Sequence, residues 1–274
     1  MNKDDLLALF DREERRGAIW PDTTREVLPR VVRHIFNDGD PNDGHNDGGS
    51  GRRGIIVYSD LDEANADQEI AGQIAYFRGR NMPFEWKLYS HDAPSDLRQR
   101  LARQGLVTDE EEAVMVLDLT AAPALLEAQV QADVRRITNP DDLQAVIEIE
   151  KAVWSRPFSG LAARLRATLT QEPSSMAVYL AYADGAPAAA GWLTFDPAGN
   201  FAGIWGGSTR PEFRRRGLYT ALMTVRVQEA ARRGYRYLTV DAGPMSKPIL
   251  ARHGFIELTR TYPCELQEEA AGER

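Results

Sequence analysis

One order of elements occurs twice in this sequence, and this repeat constrains the fold more than any other feature. A β-branched apolar run, a helix, a second strand, a short helix, a glycine and a last strand fill residues 54–119 and again 201–266. The two short helices even end alike, as RLARQGL and ILARHGF. We interpret the repeat as two copies of a related α/β fold, the first having lost its early strands. Chance similarity between two αβ units is the alternative.

Apolar periodicity predicts further elements outside the repeated segments. Residues 37–53 carry almost no apolar side chains, which favours a flexible connector over the calcium loop that alternating Asp38, Asp40 and Asn42 would suggest. Two helices are predicted before the connector, from the apolar residues Leu6, Leu7 and Phe10 and from Val27, Val31, Val32 and Ile35.

The second half of the chain opens with a strand at 133–138 and a helix that begins at Asn139 and Pro140. Two strands at 176–185 and 187–197 meet at an Asp184-Gly185 turn, and a third strand follows at 201–211. The stretch from 121 to 132 is rich in Ala, Leu and Gln, so we place the domain boundary there. The sequence therefore predicts a mixed α/β fold in two domains, 1–130 and 131–274.

Length, charge and cysteine content exclude several classes of protein. The chain has 274 residues, enough for one large or two modest domains, and a formal net charge of −8, which argues against nucleic acid or an anionic membrane as the main partner. Its only cysteine, Cys264, excludes a disulfide framework and a cysteine-based zinc site. No segment is as long and apolar as a membrane span, and the charged start has no secretory core, so we expect a cytoplasmic protein.

The most informative segment is an arginine-rich turn before a predicted long helix at 216–233. Arg214, Arg215 and Arg216 stand there, followed at once by Gly217. A helix N-terminus carries about half a positive charge, so three cations are unfavourable there unless an anion binds among them. Free N–H groups and a glycine make such a turn suitable for phosphate. A solvated basic surface turn is the alternative.

A strand, a proline, an arginine-rich turn with one glycine and a long helix, in this order, resemble the GNAT superfamily of N-acetyltransferases. Their motif, Q/R-x-x-G-x-G/A, corresponds here to residues 214–219, and the resemblance extends over about 133–266. The last position departs from the motif, because Tyr219 stands where Gly or Ala is usual. Thr220 can still offer its N–H and hydroxyl to a phosphate.

The resemblance implies a GNAT acyltransferase fold in 131–274 and a degenerate, non-catalytic GNAT-like domain in 1–130. It implies that acetyl-CoA serves as co-substrate, without a metal, and that the acetyl group passes to a primary amine by direct attack in a ternary complex. The residues expected to bind acetyl-CoA are Ser208, Thr209, Arg214, Arg215, Arg216, Gly217, Leu218, Tyr219, Thr220 and Ser246.

For catalysis, the resemblance implies that the amide of Gly207 stabilises the tetrahedral oxyanion. The Gly206-Gly207 pair suits a β-bulge with room for the thioester, and a simple packing kink is the alternative. As general base, Asp241 and Asp196 are the candidates, although both residues also fit roles as turn-formers or caps.

A second family signature is only partly present. Its Asn, Ala and Tyr positions hold Gly243, Ser246 and Leu250, so the tyrosine that commonly protonates the departing thiolate is missing. Tyr262, which we take as the catalytic candidate, Tyr219 and His253 are the nearest replacements. Ser246 fits a helix N-cap as well as a cofactor contact.

Two other functions stay open at this point. The missing tyrosine favours a CoA-binding regulatory or sensory module with little activity, and the degenerate copy allows a scaffold that self-associates. The acceptor of an enzyme would be a small-molecule amine or a peptide or protein amine, with no role for nucleic acid or membrane. The sequence leaves a homodimer open.

Overall fold

The computed structural model describes residues 1–20, 23–36, 52–155 and 158–266. The predicted connector falls outside them, apart from its last two residues. In the described part of the chain, twelve strands form one mixed sheet with helices on both faces. The strands are β1 (Thr23–Val27), β2 (Val31–Phe36), β3 (Arg53–Ser59), β4 (Phe84–Tyr89), β5 (Leu106–Thr108), β6 (Glu112–Asp118), β7 (Asp133–Arg136), β8 (Met176–Ala183), β9 (Ala186–Phe195), β10 (Phe201–Thr209), β11 (Tyr237–Ala242) and β12 (Ile256–Leu266).

The helices follow the predicted order in the second half of the chain and differ in the first. A π-helical turn, Asp11–Arg16, continues the first helix directly. The described ranges contain no helix with the length and apolar character needed to cross a bilayer. The α-helices are α1 (Lys3–Phe10), α2 (Ala66–Arg78), α3 (Leu97–Arg103), α4 (Pro123–Leu126), α5 (Leu143–Trp154), α6 (Ser159–Gln171), α7 (Leu218–Arg232) and α8 (Lys247–Arg252).

The sheet joins the two halves of the chain by exchanging their last strands. Its order is β1-β2-β3-β4-β12-β6-β11-β10-β9-β8-β7, with β5 beside β12. Strand β12 thus pairs with β4 and β6 of the N-terminal half (residues 1–130), and β6 pairs with β11 of the C-terminal half (residues 131–274). Each half therefore depends on the other to continue its sheet.

Both halves have the same local plan. Antiparallel strands β1, β2 and β3 precede a parallel β3–β4 pair, just as β8, β9 and β10 precede a parallel β10–β11 pair. Each parallel pair is only three residues long before its strands diverge. The repeated order of elements predicted from the sequence is present in the structure.

The predicted helix through Val27, Val31, Val32 and Ile35 is wrong, because this segment forms the β1–β2 hairpin. All six residues of β2 are buried, with Val31 and Ile35 in one core cluster and Val32 and Phe36 in another. A strand covered on both faces loses the polar alternation by which strands are recognised. The N-terminal half therefore keeps the early strands that it was expected to lack.

Helices on opposite faces of the sheet cover different cores. Helices α7 and α8 cover a cluster that includes Ala113, Leu238 and Ala242. On the other face, α5 and α6 cover β8 to β10, while α1 covers β6, β11 and β12. We call this second face, which carries Trp205 and Asp241, the α5 face.

Candidate functional site

The diverging strands β10 and β11 define the candidate site. Their pairing stops at Gly203 and Thr239, and beyond this point β10 continues to pair with β9 on its other side. The register in the paired part runs Phe201 to Tyr237 and Gly203 to Thr239. Continued along both strands, this register sets Trp205 and Asp241 on opposite sides of the gap. The edge of β10 that faces β11 is thus available to an extended ligand.

The predicted β-bulge lies in this part of β10. The register with β9 shifts between Gly206 and Ser208, so Gly207 is the extra residue. Gly206 has φ 66° and Gly207 has φ 95°, values that side chains rarely allow. A Cβ atom on Gly206 would lie 2.5 Å from the buried ring of Trp192. The two glycines therefore permit a local backbone path that other residues would block.

The N-terminus of α7 is arranged as an anion site would require. Gly217 occupies the N-cap position with φ 75°, and the first helical bond runs from the N–H of Ala221 to the carbonyl of Gly217. The N–H groups of the first helical turn, Leu218 to Thr220, have no acceptor within the helix and point out of its N-terminal end. These amides and the positive end of the helix dipole form a suitable contact for phosphate.

The three predicted arginines are all exposed beside this helix end. Arg216 forms an ion pair of 2.7 Å with Asp184 at the tip of the β8–β9 hairpin. The Nε atom of Arg214 donates to the carbonyl of Thr209, the last residue of β10, at 3.2 Å. Arg215 adopts a positive φ of 63°. The turn is thus tied to both neighbouring elements while its guanidinium groups stay accessible.

Tyr219, which departs from the family motif, turns its side chain toward the bulge. A Cβ atom on Gly207 would lie 3.1 Å from its ring. Burial raises the pKa of the Tyr219 hydroxyl. The ring occupies the space that Gly207 leaves free between α7 and β10, and Leu218 beside it is buried in the core.

A buried arginine lies beneath the bulge, and sequence reasoning missed it. Arg226 of α7 is fully buried and donates from Nη1 to the carbonyl of Trp205 at 3.1 Å. Its Nη2 atom has no hydrogen-bond partner among the described residues. Burial lowers the pKa of this guanidinium to about 10. A positive charge is therefore held behind the segment that includes Gly207, where it favours negative charge nearby.

The side chain of Ser208 joins β10 to α5. Its hydroxyl donates to buried Glu150 at 2.8 Å and accepts from the indole N–H of Trp154 at 3.0 Å. Because this hydroxyl already has protein partners, Ser208 can contact a ligand through its backbone. Glu150 and Trp154 carry no recognisable motif, so only the structure reveals this network.

Asp241, the predicted base, forms an ion pair with Lys87 of β4. Although burial lowers the pKa of Lys87, the Asp241 carboxylate raises it well above its ordinary value. Glu112, the first residue of β6, is half-buried nearby. Burial, and then the negative charge of Asp241, raise the pKa of Glu112 to about 7. The site thus contains a carboxyl group that titrates near neutral pH.

The remaining predicted residues are divided between the cleft and other places. Ser246 follows β11, and its hydroxyl donates to the carbonyl of Gly243 at 3.2 Å. Tyr262 is not brought to the cleft, because it packs on the opposite face of the sheet, where the guanidinium of Arg98 lies 4.6 Å from its ring centroid. Asp196 accepts from the N–H of Ala198 in the β9–β10 turn, so it serves there as a turn-former.

The second family signature lacks its tyrosine at a position in α8. Leu250 of α8 is fully buried in the core beneath the sheet. Burial lowers the pKa of His253, which follows α8. Among the described residues, no group of three His, Cys, Asp or Glu side chains is arranged so that it could hold a metal ion.

Comparisons with known proteins bear on the family and on the fold. Residues 143–255 match the acetyltransferase (GNAT) family. A GCN5-related N-acetyltransferase from Kribbella flavida superposes with a TM-score of 0.68 at 14% identity, covering 98% of this chain and 95% of the other. A tandem GNAT protein from the clavulanic acid biosynthesis pathway superposes with a TM-score of 0.60 at 16% identity, covering 98% and 94%. No curated protein shows a significant match. At these identities the two structures support the fold alone.

Proposed function

Because residues 143–255 belong to the GNAT acetyltransferase family, we propose that this protein moves an acetyl group from acetyl-CoA to a primary amine by direct attack in a ternary complex. The family assignment makes the chain an acyltransferase in general terms. The choice of acetyl-CoA, of an amine acceptor and of direct transfer is our proposal.

One combination of features carries the proposal. The β10–β11 gap opens directly beside the Gly206-Gly207 bulge, and β10 leads into the arginine-rich turn and the free amides of α7. An extended pantetheine arm fits the free edge of β10 if its pyrophosphate lies on the N-terminus of α7. The acyl end of such a ligand would then lie near the bulge, behind which the Arg226 cation is held.

Each part of the site has a chemical task in this proposal. The amide of Gly207 donates to the thioester oxygen as negative charge develops there, which is worth about 3 kcal/mol for one well-placed donor. The acceptor amine approaches from the α5 face, where Trp205 and Asp241 flank the gap. Attack by the amine gives a tetrahedral intermediate, and its collapse releases CoA.

Calorimetric titration of acetyl-CoA tests the proposal. We expect the wild-type chain to bind with a micromolar or tighter constant, about −8 kcal/mol or better. Arg214→Glu combined with Gly217→Glu places two carboxylates at the phosphate site and should weaken binding at least 30-fold. Arg78→Glu, an exposed change on α2, is the charge control and should leave binding unchanged. Unchanged binding in the double variant would refute the proposed cofactor site.

A CoA-binding regulatory module is the second candidate function. Its support is Leu250, which is buried in the core where the family commonly places a tyrosine acid. Tight acetyl-CoA binding without thiol release to any member of an amine panel would favour this alternative. Rapid acetylation of one amine would exclude it.

A further inference from the structure

The exchange of strands brings the N-terminal half into the candidate acceptor site. Strand β6 lies directly beside β11, with Val114 opposite Asp241 and Ala113 opposite Ala242. Side chains alternate between the faces of a strand, so Glu112 and Val114 point to the same face as Asp241. Ala113 and Ala242 belong to the core beneath α7 and α8, which places Glu112 and Asp241 on the opposite, α5 face.

Glu112 also lies at the open end of the gap. Strands β10 and β11 diverge toward their C-terminal ends, and β6 runs antiparallel to β11, so the first residue of β6 is beside the last residues of β11. Diagonal neighbours on paired strands are about 7–8 Å apart at their Cα atoms. A long carboxylate at position 112 can therefore reach the space in front of Asp241.

Other carboxylates are less suited to accept a proton there. Asp241 already accepts a hydrogen bond from the Lys87 ammonium in an ion pair, so its carboxylate is occupied by a protein partner. Glu14 lies in the π-helical turn that follows Phe10. Glu13 of the same turn accepts from the N–H of Asn200 at 2.8 Å, and Phe10 packs on Phe201. These contacts hold the turn over the paired beginning of β10, and the negative charge of Asp241 acts on Glu14 there.

We propose that Glu112, supplied by the N-terminal half, is the general base for the acceptor amine, and that Lys87 of the same half holds Asp241 beside it. The inference rests on the proposed acetyl transfer. It gives the N-terminal half a chemical part in the reaction, although that half lacks an arginine-rich turn of its own.

The Glu112 carboxylate takes one proton from the acceptor ammonium, directly or through a water molecule. The freed amine forms a bond to the thioester carbonyl carbon, whose π electrons move to oxygen. When the oxyanion collapses, the C–S bond breaks, the amide forms, and the second nitrogen proton passes to the CoA thiolate. Glu112 then returns its proton to solvent.

The charges around Glu112 support this role. Burial, Asp241 on β11, and Asp109 and Glu110 in the turn before β6 all raise its pKa, whereas Lys87 on β4 lowers it. The resulting pKa of about 7 suits a base that works near neutral pH. Burial, and then the negative charges of Asp196, Glu13 and Asp241, raise the pKa of Glu14 to about 8, so the test below includes this residue.

The test measures thiol release from acetyl-CoA between pH 5.5 and 9, with a diamine, an aminosugar, a lysine peptide and water as acceptors. Variants are Glu112→Gln, Glu14→Gln and, as the control away from the gap, exposed Glu63→Gln. We expect Glu112→Gln to lower kcat at least 100-fold, with the Kd for acetyl-CoA within 3-fold of wild type. The rise of the rate through about pH 7 should disappear in this variant and persist in the other two.

Three results would overturn the assignment: a Glu112→Gln variant that keeps the rate and its rise near pH 7, a loss of that rise in Glu14→Gln instead, or a wild-type chain that binds acetyl-CoA and releases no thiol at any pH. A wild-type chain that does not bind acetyl-CoA would instead refute the proposed function. Calorimetry thus separates the two failures.

Discussion

At the scale of single residues, the bulge depends on two adjacent positions that carry no side chain. Gly206 and Gly207 both have positive φ, and Gly206 faces the ring of Trp192 so closely that even one methyl group does not fit. In the proposed reaction the Gly207 amide also donates to the thioester oxygen. Stability and catalysis therefore place the same demand on this dipeptide.

We predict that Gly206→Ala destabilises the protein by about 3 kcal/mol, since it adds left-handed strain to a clash with a buried ring. Gly72→Ala in α2 is the control: nothing lies within 4 Å of its Cβ position, and a helical Gly-to-Ala change stabilises by roughly 0.5–1 kcal/mol. Urea unfolding of both variants measures the difference. Equal effects of the two changes would contradict this account of the bulge.

Residue-scale contacts were the hardest feature to predict from the sequence. The arginine-rich turn and the bulge glycines were recognisable because their residues are adjacent in the chain. Lys87 and Asp241 are 154 positions apart, and only the exchange of strands brings them together. Asp241 was identified as a candidate, whereas Lys87 and Glu112 carry no local signal. The predicted role of Tyr262 ignored the strand alternation that turns its side chain to the other face.

At the scale of elements, the gap in the N-terminal half differs from the gap at the candidate site. Strands β3 and β4 also diverge after three paired residues. Arg15 of the π-helical turn bridges this divergence: its Nε atom donates to the carbonyl of Val57 at 3.2 Å, and its Nη2 atom to Asp92 at 2.6 Å. Its guanidinium lies 3.9 Å from the ring centroid of Tyr89 on β4. A buried, fully bonded cation thus fills this gap.

We therefore predict that one chain binds one molecule of acetyl-CoA. The second gap is closed by Arg15, and its first strand leads into no arginine-rich turn. Calorimetry on protein of known active concentration gives the stoichiometry directly. Two sites per chain would show that Arg15 yields to a ligand, and the N-terminal half could then no longer be described as degenerate.

Elements were predictable where turn residues or an unbroken β-branched run marked them, and the mistaken one is a buried strand whose apolar spacing also suits a helix. The β8–β9 hairpin was found from Asp184-Gly185, whose φ values of 52° and 78° fit the turn expected there. In β2, by contrast, the apolar residues occur at spacings that suit a helix as well as a strand, and burial on both faces removes the alternation. Local pattern carries no information about what covers the second face.

At the scale of the whole molecule, neither half can complete its sheet alone. Removing 131–274 would take β12 from its place between β4 and β6, and removing 1–130 would take β6 from its place beside β11. Both cuts expose strand edges and core that are covered in the full chain. The sheet is therefore continuous across the boundary that the sequence predicts.

We predict that the full chain unfolds in one cooperative thermal transition, and that residues 1–130 and 131–274, produced separately, show none. Differential scanning calorimetry compares the three samples. Co-production of the two pieces is the control, since it should restore a single transition if strand exchange is the cause. Two independent transitions in the full chain would contradict the prediction.

The position of β12 also affects how the chain folds while it is being made. The ribosome supplies β4 and β6 early, but the strand that lies between them is the last of the described elements to emerge. At about 5–20 residues per second, the wait lasts on the order of ten seconds. During that time the nascent N-terminal half presents unpaired strand edges, the surface that chaperones recognise and that neighbouring nascent chains on a polysome could pair with by mistake.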